Sequence, residues 1–356
     1  MNIILNSLPT KTWNRLNMNE STVTLSGSFA NHTPVAKWND KEVSWNTKAD
    51  WTRAPEAYGF SPDFTALTAE ADTAVASVAA GTVMEEPIVL SYRYEKDEHA
   101  VNRLVLRAEE DSVLKAVLLL TSADAEGGDV SALQIEVQAE SRAKIELYVA
   151  QLTGKESLCL NELGGVCAAD AEVQVVRLEL GGRKAFTGVS IDLAGQNSKF
   201  GTEVGYYAKS GQTIDMNYVA LHHGKHTESL MEVNGTMEEN AEKVFRGTID
   251  FQKGCAGAKG TENENVLLLG EEMVNLTIPL ILCKEEDVEG NHGASIGRLD
   301  EKVLFYLGSR GISEEAARQI IARSRIEAIC AKFPNEQVRE AIHTFEYGKK
   351  ETDAEL

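Results

Sequence analysis

From about residue 75 to 288 the chain repeats short phrases in which apolar and polar residues alternate, each introduced by acidic and small residues. They read EEDSVLKAVLLL from 109, AESRAKIELYVAQL from 139, AADAEVQVVRLEL from 168, KSGQTIDMNYVAL from 209, EENAEKVFRGTIDF from 238 and GEEMVNLTIPLIL from 270. The intervals are 30, 29, 41, 29 and 32 residues, and the long one accommodates a further phrase, SKFGTEVGYYA at 198–208. Alternation with a period of two predicts β-strands with one face in and one face out. Near-constant spacing predicts similar units stacked on one another, because one such unit could not bury its apolar face alone. Helical periodicity is nearly absent over this stretch. The pattern fits a β-solenoid better than an immunoglobulin-like sandwich, whose turn signals come at shorter and less regular spacing. On pattern alone the sandwich stays open as the alternative.

The flanks read differently. Residues 1–74 are polar and irregular and carry all four tryptophans, Trp13, Trp38, Trp45 and Trp51. They predict an irregular or helical segment that packs against the repeat. After 298 the period becomes helical. Asp300 is placed to cap a helix running to Ser309, ended by Gly311. Ser313 is an N-cap with Glu314 and Glu315 in the first turn, where the positive end of the helix dipole favours carboxylates. Phe333-Pro334 closes that helix, and Asn335 caps a last one with Val338, Ile342 and Phe345 on one face and Gly348 just past its end. The charged tail KKETDAEL reads as a frayed terminus. The expected organisation is an N-terminal segment at 1–74, a β-helix at 75–298 and a helical region at 299–356.

Composition narrows the function classes. Against 35 Lys and Arg stand 55 Asp and Glu, a net charge of −20 spread along the 356 residues. So acidic a surface repels nucleic-acid phosphates and anionic lipid, which argues against both as partners. No export signal is legible in MNIILNSLPTKTW, and TIPLILC at 277–283 is far short of the roughly 20 apolar residues of a membrane span. A cytoplasmic location is expected. The five cysteines (Cys159, Cys167, Cys255, Cys283 and Cys330) are odd in number and widely spaced, so each is expected to be a small buried hydrophobe.

Among chemical motifs, no Walker A loop, dinucleotide fingerprint, nucleophile elbow or H-E-x-x-H is present. GCAGAKG at 254–260 lacks the Lys-Ser/Thr ending of a phosphate cradle and reads as a turn. HHGKH at 222–226 would put His222 and His226 on one face of a strand, where imidazoles can bind a transition metal. Gly224 favours a hairpin turn instead. The remaining candidate is His292 in EGNHGASIGRLDE, flanked by Gly290 and Gly293 at the joint between strand-like and helical sequence, where the glycines read as turn residues.

The run DVEGNHGASIGRLDEKVLFYLGSRGISEEAARQII at 287–321 closely resembles the C-terminal signature of the SufB/SufD family of iron–sulfur cluster assembly proteins. His292, Gly293, Ala294, Gly297, Leu299, Asp300, Leu304 to Leu307 and Ser309 to Ile312 stand in register with it. VFRGTIDF at 244–251, NVLLLG at 265–270 and SLPTKTWNRL at 7–16 also resemble family phrases. In that family a Glu after the His and an interface Cys mark one branch. Here Gly293 follows His292 and Glu264 stands at the cysteine position, so the chain resembles the SufD-type members.

The resemblance implies a right-handed parallel β-helix flanked by helical ends and a non-catalytic subunit. It would pair with a SufB-like chain, or with itself, through its last strands, and dock a SufC-like ABC ATPase through its C-terminal helices. A nascent iron–sulfur cluster would be built at the paired interface, with His292 offering one ligand. The ATPase contact would centre on Arg310, Gly311, Ile312, Ser313 and Glu314. Gly290 stands where a Cys is common and Leu282 where an acidic residue is common, so the chain alone is not expected to hold a cluster stably. The rival readings are a scaffold without a cluster ligand and a β-helix carbohydrate-active enzyme. The latter would be expected to carry an export signal and a ladder of carboxylates or basic residues, which the strand phrases lack.

Overall fold

A computed structural model of the chain describes residues 1–32, 34–38, 41–42 and 59–348; Trp45, Trp51 and the tail 349–356 lie outside them. The repeat forms two parallel sheets facing one another, and the chain passes from one to the other at every half-turn. The first sheet runs through His99–Ala108, Val130–Ala139, Leu158–Cys167, Lys184–Leu193, Thr213–His222 and Glu242–Phe251 to Val274–Cys283. The second runs from Ile88–Tyr94 through Val113–Ser122, Lys144–Leu152, Glu172–Glu179, Lys199–Ala208, Glu228–Met237 and Ala258–Leu268 to Val288–Arg298. Successive strands pair in parallel, so Cys159 lies beside Ala185, Ala185 beside Ile214 and Ile214 beside Lys243. The result is a mainly β protein, a parallel β-solenoid of about eight turns. Parallel pairing excludes the sandwich. Between the sheets Leu147, Val149, Val173, Val175, Phe200, Val204, Phe245 and Ile249 are fully buried in one continuous core.

The corners from the first sheet to the second are built alike. Asp111, Arg142, Asp170, Asn197, His226 and Gly257 all take positive φ there, near +57° for most and +77° at the glycine. The N–H of each donates to a carbonyl one turn further on: Ser141, Ala169, Gln196, Lys225, Ala256 and Asp287 respectively. Asn, Asp and Gly adopt this left-handed conformation with least strain, which accounts for the polar, small residues that introduce each phrase.

The intervals in the sequence are explained by the two sheets. The phrases at 109, 139 and 168 lead into second-sheet strands, and those at 209, 238 and 270 into first-sheet strands. The long interval marks the change from one set to the other. Early first-sheet strands escape an alternation test because both their faces are buried, as in Val130–Ala139. Their outer face is covered by the N-terminal segment, where Asn2–Leu5 pairs antiparallel with Ser21–Thr24 and helix α1 spans Pro62–Thr68. Ile3, Leu5 and Phe64 pack there on Val101, Ala132, Leu160 and Phe186. Arg246 fastens the segment, pairing with Asp215 (2.6 Å) and donating from Nε to the Met18 carbonyl (2.8 Å).

Helices α2 (Glu301–Ser309), α3 (Glu314–Cys330) and α4 (Glu336–Tyr347) follow the last strand. Asp300, Ser313 and Asn335 cap them as expected, accepting from the backbone N–H of Lys302, Ala316 and Val338. Helices α3 and α4 lie along the outer face of the second sheet. Ala322, Ile326, Ile329, Phe333, Val338 and Ile342 bury against Val117, Ala150, Leu178 and Tyr207. Each large aliphatic side chain so buried contributes on the order of 2 kcal/mol. The helices therefore strap the flank of the solenoid and leave its end open.

Candidate functional site: the open last turn

Val274–Cys283 and Val288–Arg298 each pair with a strand on one side only, among the described residues. Both are edge strands, with a row of backbone donors and acceptors unmatched among the described residues. Pro279, which cannot donate, is tolerated in Val274–Cys283 because that strand is at an edge. Its outer face is partly covered by Leu8 and Met18, which pack on buried Ile278. Val288–Arg298 is exposed almost throughout.

This overturns one expectation. EGNHGASIGR is not a turn but the greater part of an eleven-residue strand, and Gly290, Gly293 and Gly297 have ordinary extended backbone. The joint to the helices comes later, at Leu299 and Asp300.

His292 is exposed and in register with Glu262 one turn below. In-register residues of parallel strands point the same way, so His292 continues an inward-facing column at about 4.8 Å spacing. The column reads Ala116, Leu147, Val175, Thr202, Met231, Glu262 and His292. It becomes ionisable only in the last two turns.

Beneath the open turn lies a buried polar group that the motif search missed. Lys243 Nζ pairs with Glu264 Oε1, both wholly buried. Thr277 Oγ1 donates to Glu264 Oε2 (2.6 Å) and accepts from Lys243 Nζ (3.0 Å). Burial pushes the Lys243 ammonium pKa down, against the pull of the Glu264 carboxylate. Glu262 lies in the same interior row, its Oε2 buried without a hydrogen-bond partner. Burial, reinforced by the Glu264 charge, raises its pKa to about 8, so it is mostly protonated at neutral pH. Gly247 makes room for it, since a Cβ there would lie 2.3 Å from the Glu262 carboxyl carbon. The signal was present in ENENV: a period of two puts both glutamates on the face of Val266, which is the core face.

The other candidates sort plainly. The imidazoles of HHGKH diverge and form no common site. His222 is fully buried, with Nδ1 2.7 Å from Thr227 Oγ1, Nε2 2.9 Å from Ser229 Oγ, and its ring against Phe251. His223 is on the surface with Asp192 (2.7 Å), and His226 holds the left-handed corner position. GCAGAKG is a corner leading into a strand, with Gly254 and Gly257 at positive φ. Four cysteines are buried as expected, but Cys283 is exposed, because no further turn covers the end of the last first-sheet strand.

Residues 310–313 form the link between α2 and α3, and Glu314 opens α3. Arg310 lies over the Tyr306 ring (5.1 Å), Gly311 has φ +83°, the Ile312 N–H returns to the Leu307 carbonyl, and Glu314 pairs with Arg318 (2.6 Å). Sequence reasoning placed helix α2 but did not single out its exposed aromatic residues. The helix buries no residue, and Phe305 is 80% exposed beside exposed Tyr306 and Val303.

Fold and site together define a class: a parallel β-solenoid with an open last turn, an accessible histidine on that turn and a helical strap along one flank. The profile described as "SUF system FeS cluster assembly, SufBD core domain" matches residues 92–325, and the chain belongs to that SufB/SufD family. It is 24% identical over 261 residues to the iron–sulfur cluster assembly protein SufD of Bacillus subtilis, covering 73% of this chain and 60% of that protein. A SufBD family protein of Staphylococcus saprophyticus is 30% identical over 144 residues, or 40% of this chain and 31% of that protein. One from Staphylococcus epidermidis is 29% identical over the same length. The chain thus spans less than two thirds of these relatives. No described helix is long and apolar enough to cross a membrane.

Proposed function

We propose that this protein is a SufD-type, non-catalytic subunit of a cytoplasmic assembly complex. In it the open last turn pairs with the corresponding turn of a SufB-like chain, or of a second copy, and presents His292 to a nascent iron–sulfur cluster. The cluster is cargo, and the partner supplies the thiolate. A neutral imidazole is a competent iron ligand, and an exposed strand at an unpaired edge is where a second chain can approach it closely. The observation that carries this reading is the last turn, unpaired on its outer edge among the described residues, with His292 exposed on it. The residues below it suit the task, since Lys243, Glu262 and Glu264 place ionisable groups immediately beneath the site, while the column that leads to Glu262 and His292 has no ionisable residue in its deeper turns.

The exposed aromatic pair Phe305 and Tyr306, with Arg310 to Glu314 beside it, is proposed as the dock for a SufC-like ABC ATPase. No residue of helix α2 is fully buried among the described residues, and exposed Val303, Phe305 and Tyr306 leave an apolar face available to one.

The test is co-expression with SufB-like and SufC-like partners, purification, and analysis of iron and acid-labile sulfide with and without ATP. The expected result is co-purification of all three and ATP-dependent cluster accumulation. His292→Ala should leave assembly intact and reduce cluster yield. Unchanged yield would assign the chain a pairing role without a ligand, and failure to co-purify with the ATPase would overturn the proposal as a whole.

A further inference from the structure

A second constellation lies well apart in sequence from the last turn, on the helical strap. Glu327 and Cys330 stand three residues apart on α3, so they share a face, and His343 on α4 faces them. Glu327 Oε2 and Cys330 Sγ converge on one ring nitrogen, His343 Nε2, at 2.9 Å and 3.6 Å, and the three donor atoms lie within 4.8 Å of one another. Among the described residues no other group of three or more potential ligands is drawn together in this way.

Two of these separations approach those of a metal-ligand set, and the third, from sulfur to oxygen, is within 4.8 Å. With bonds of about 2.3 Å to sulfur and about 2.0–2.1 Å to nitrogen and oxygen, tetrahedral angles place S and N about 3.5 Å apart and N and O about 3.3 Å apart. The S–N spacing is already met. The N–O spacing needs an opening of a few tenths of an ångström, which the half-exposed Glu327 side chain can supply by rotation. The chemistry is matched too: thiolate, imidazole and carboxylate are the three common zinc donors, and a carboxylate and a thiolate together balance a divalent charge. Glu327 and His343 are both partly open to solvent, so a water can complete the fourth position.

We propose that Glu327, Cys330 and His343 form a site for a divalent transition metal ion of the zinc type, closed by one water, which clamps α4 to α3. Binding displaces the thiol proton from Cys330 into solvent and forms the metal–sulfur bond, and no electron is transferred. In the unoccupied site burial and the neighbouring Glu327 hold the Cys330 thiol up at about 11. The nearby cations do not close the site. Arg339 directs its guanidinium to the Phe333 carbonyl, and Arg323 lies over the Tyr347 ring (4.7 Å).

The test uses the full chain, stripped of metal and titrated with Co2+ and then Zn2+. The expected result is one equivalent of Co2+ giving a sulfur-to-cobalt charge-transfer band with visible bands of tetrahedral intensity, displaced by Zn2+. Cys330→Ser and His343→Ala should each abolish the charge-transfer band or weaken binding at least about a hundredfold, and Glu327→Gln by about tenfold. Cys283→Ser, which removes the exposed thiol, should leave the band unchanged. If Cys330→Ser fails to fold, His343→Ala on the more open side decides in the same way. No thiolate band in the wild-type chain, or a band that survives Cys330→Ser or His343→Ala, would overturn the proposal. Cluster assembly at the last turn does not enter these measurements, so either proposal can fail alone.

Discussion

His222 makes acid stability a direct probe of the solenoid interior. Its ring is fully buried, bonded at both nitrogens to hydroxyl groups and packed on Phe251. Burial lowers its pKa from 6.5 to about 4, because the charged form would have to leave water. The folded protein therefore binds fewer protons than the unfolded chain between those two values, and stability falls as pH falls through that window. The contribution is fully present above pH 6.5 and is lost as the pH drops towards 4. At up to about 1.4 kcal/mol per pH unit, with the slope halved at pH 6.5 where the unfolded ring is half-protonated, the loss attributable to this one ring between pH 6.5 and 4.5 is about 2 kcal/mol. Carboxylates titrate in the lower part of the same window, so the comparison must isolate the histidine. His222→Gln keeps a side chain able to hydrogen-bond Thr227 and Ser229 but carries no charge at any pH. Urea unfolding of both proteins from pH 7.5 to 4.5 should show the wild-type chain losing about 2.5 kcal/mol more than the variant, with most of the divergence below pH 6.5. Parallel pH curves would refute the assignment of His222 as a neutral, interior ring.

Two further predictions concern the polar interior and the packing above it. Glu264→Ala removes the ion-pair partner of the buried Lys243 ammonium, leaving it hydrogen-bonded to Thr277, and should cost about 3–5 kcal/mol in urea unfolding, whereas the double variant Lys243→Met with Glu264→Leu should recover most of the loss. A double variant no more stable than Glu264→Ala would show that the pair is not the cause. Gly235→Ala places a Cβ 1.8 Å from Cζ of buried Tyr206 and should destabilise by about 1–3 kcal/mol through overpacking; Tyr206→Leu in the same chain should relieve most of that, and an additive double variant would contradict it.

What could be read in the sequence follows from which faces are buried. Second-sheet strands such as Lys144–Leu152 alternate because half of each is solvated or lies under the helical strap, so their period was visible. Leu158–Cys167 is buried almost throughout, and a strand buried on both faces has no alternation to detect. The helix caps were legible because Asp300, Ser313 and Asn335 act within three residues of themselves. His292 was legible through family resemblance. Its setting was not, because Gly290, Gly293 and Gly297 suggest a turn locally, and only pairing with Ala258–Leu268 fixes them as a strand. The Lys243–Glu264 pair joins residues of opposite sheets, and Cys330 meets His343 across two helices. Neither distance is encoded in local spacing, although the period of two in ENENV did place both glutamates on the core face.

The direction of polarity along the interior bears on what the open end is for. A stacked repeat that ends in water needs a terminal unit with a polar outer face or a covering element, since otherwise its last apolar layer stays exposed. Here α3 and α4 are spent on the flank, and the last turn has edge strands with exposed Val274 and Ile296. The layer directly beneath carries a buried ion pair and a carboxyl group kept mostly protonated, an arrangement that a well-packed apolar layer would match or exceed in stability. Stability alone therefore accounts for neither the open edges nor the charges under them. The proposed pairing with a second chain would account for both: it would cover the apolar residues, satisfy the strand edges and turn the polar layer into the floor of an enclosed interface, with His292 on the side that would meet the partner.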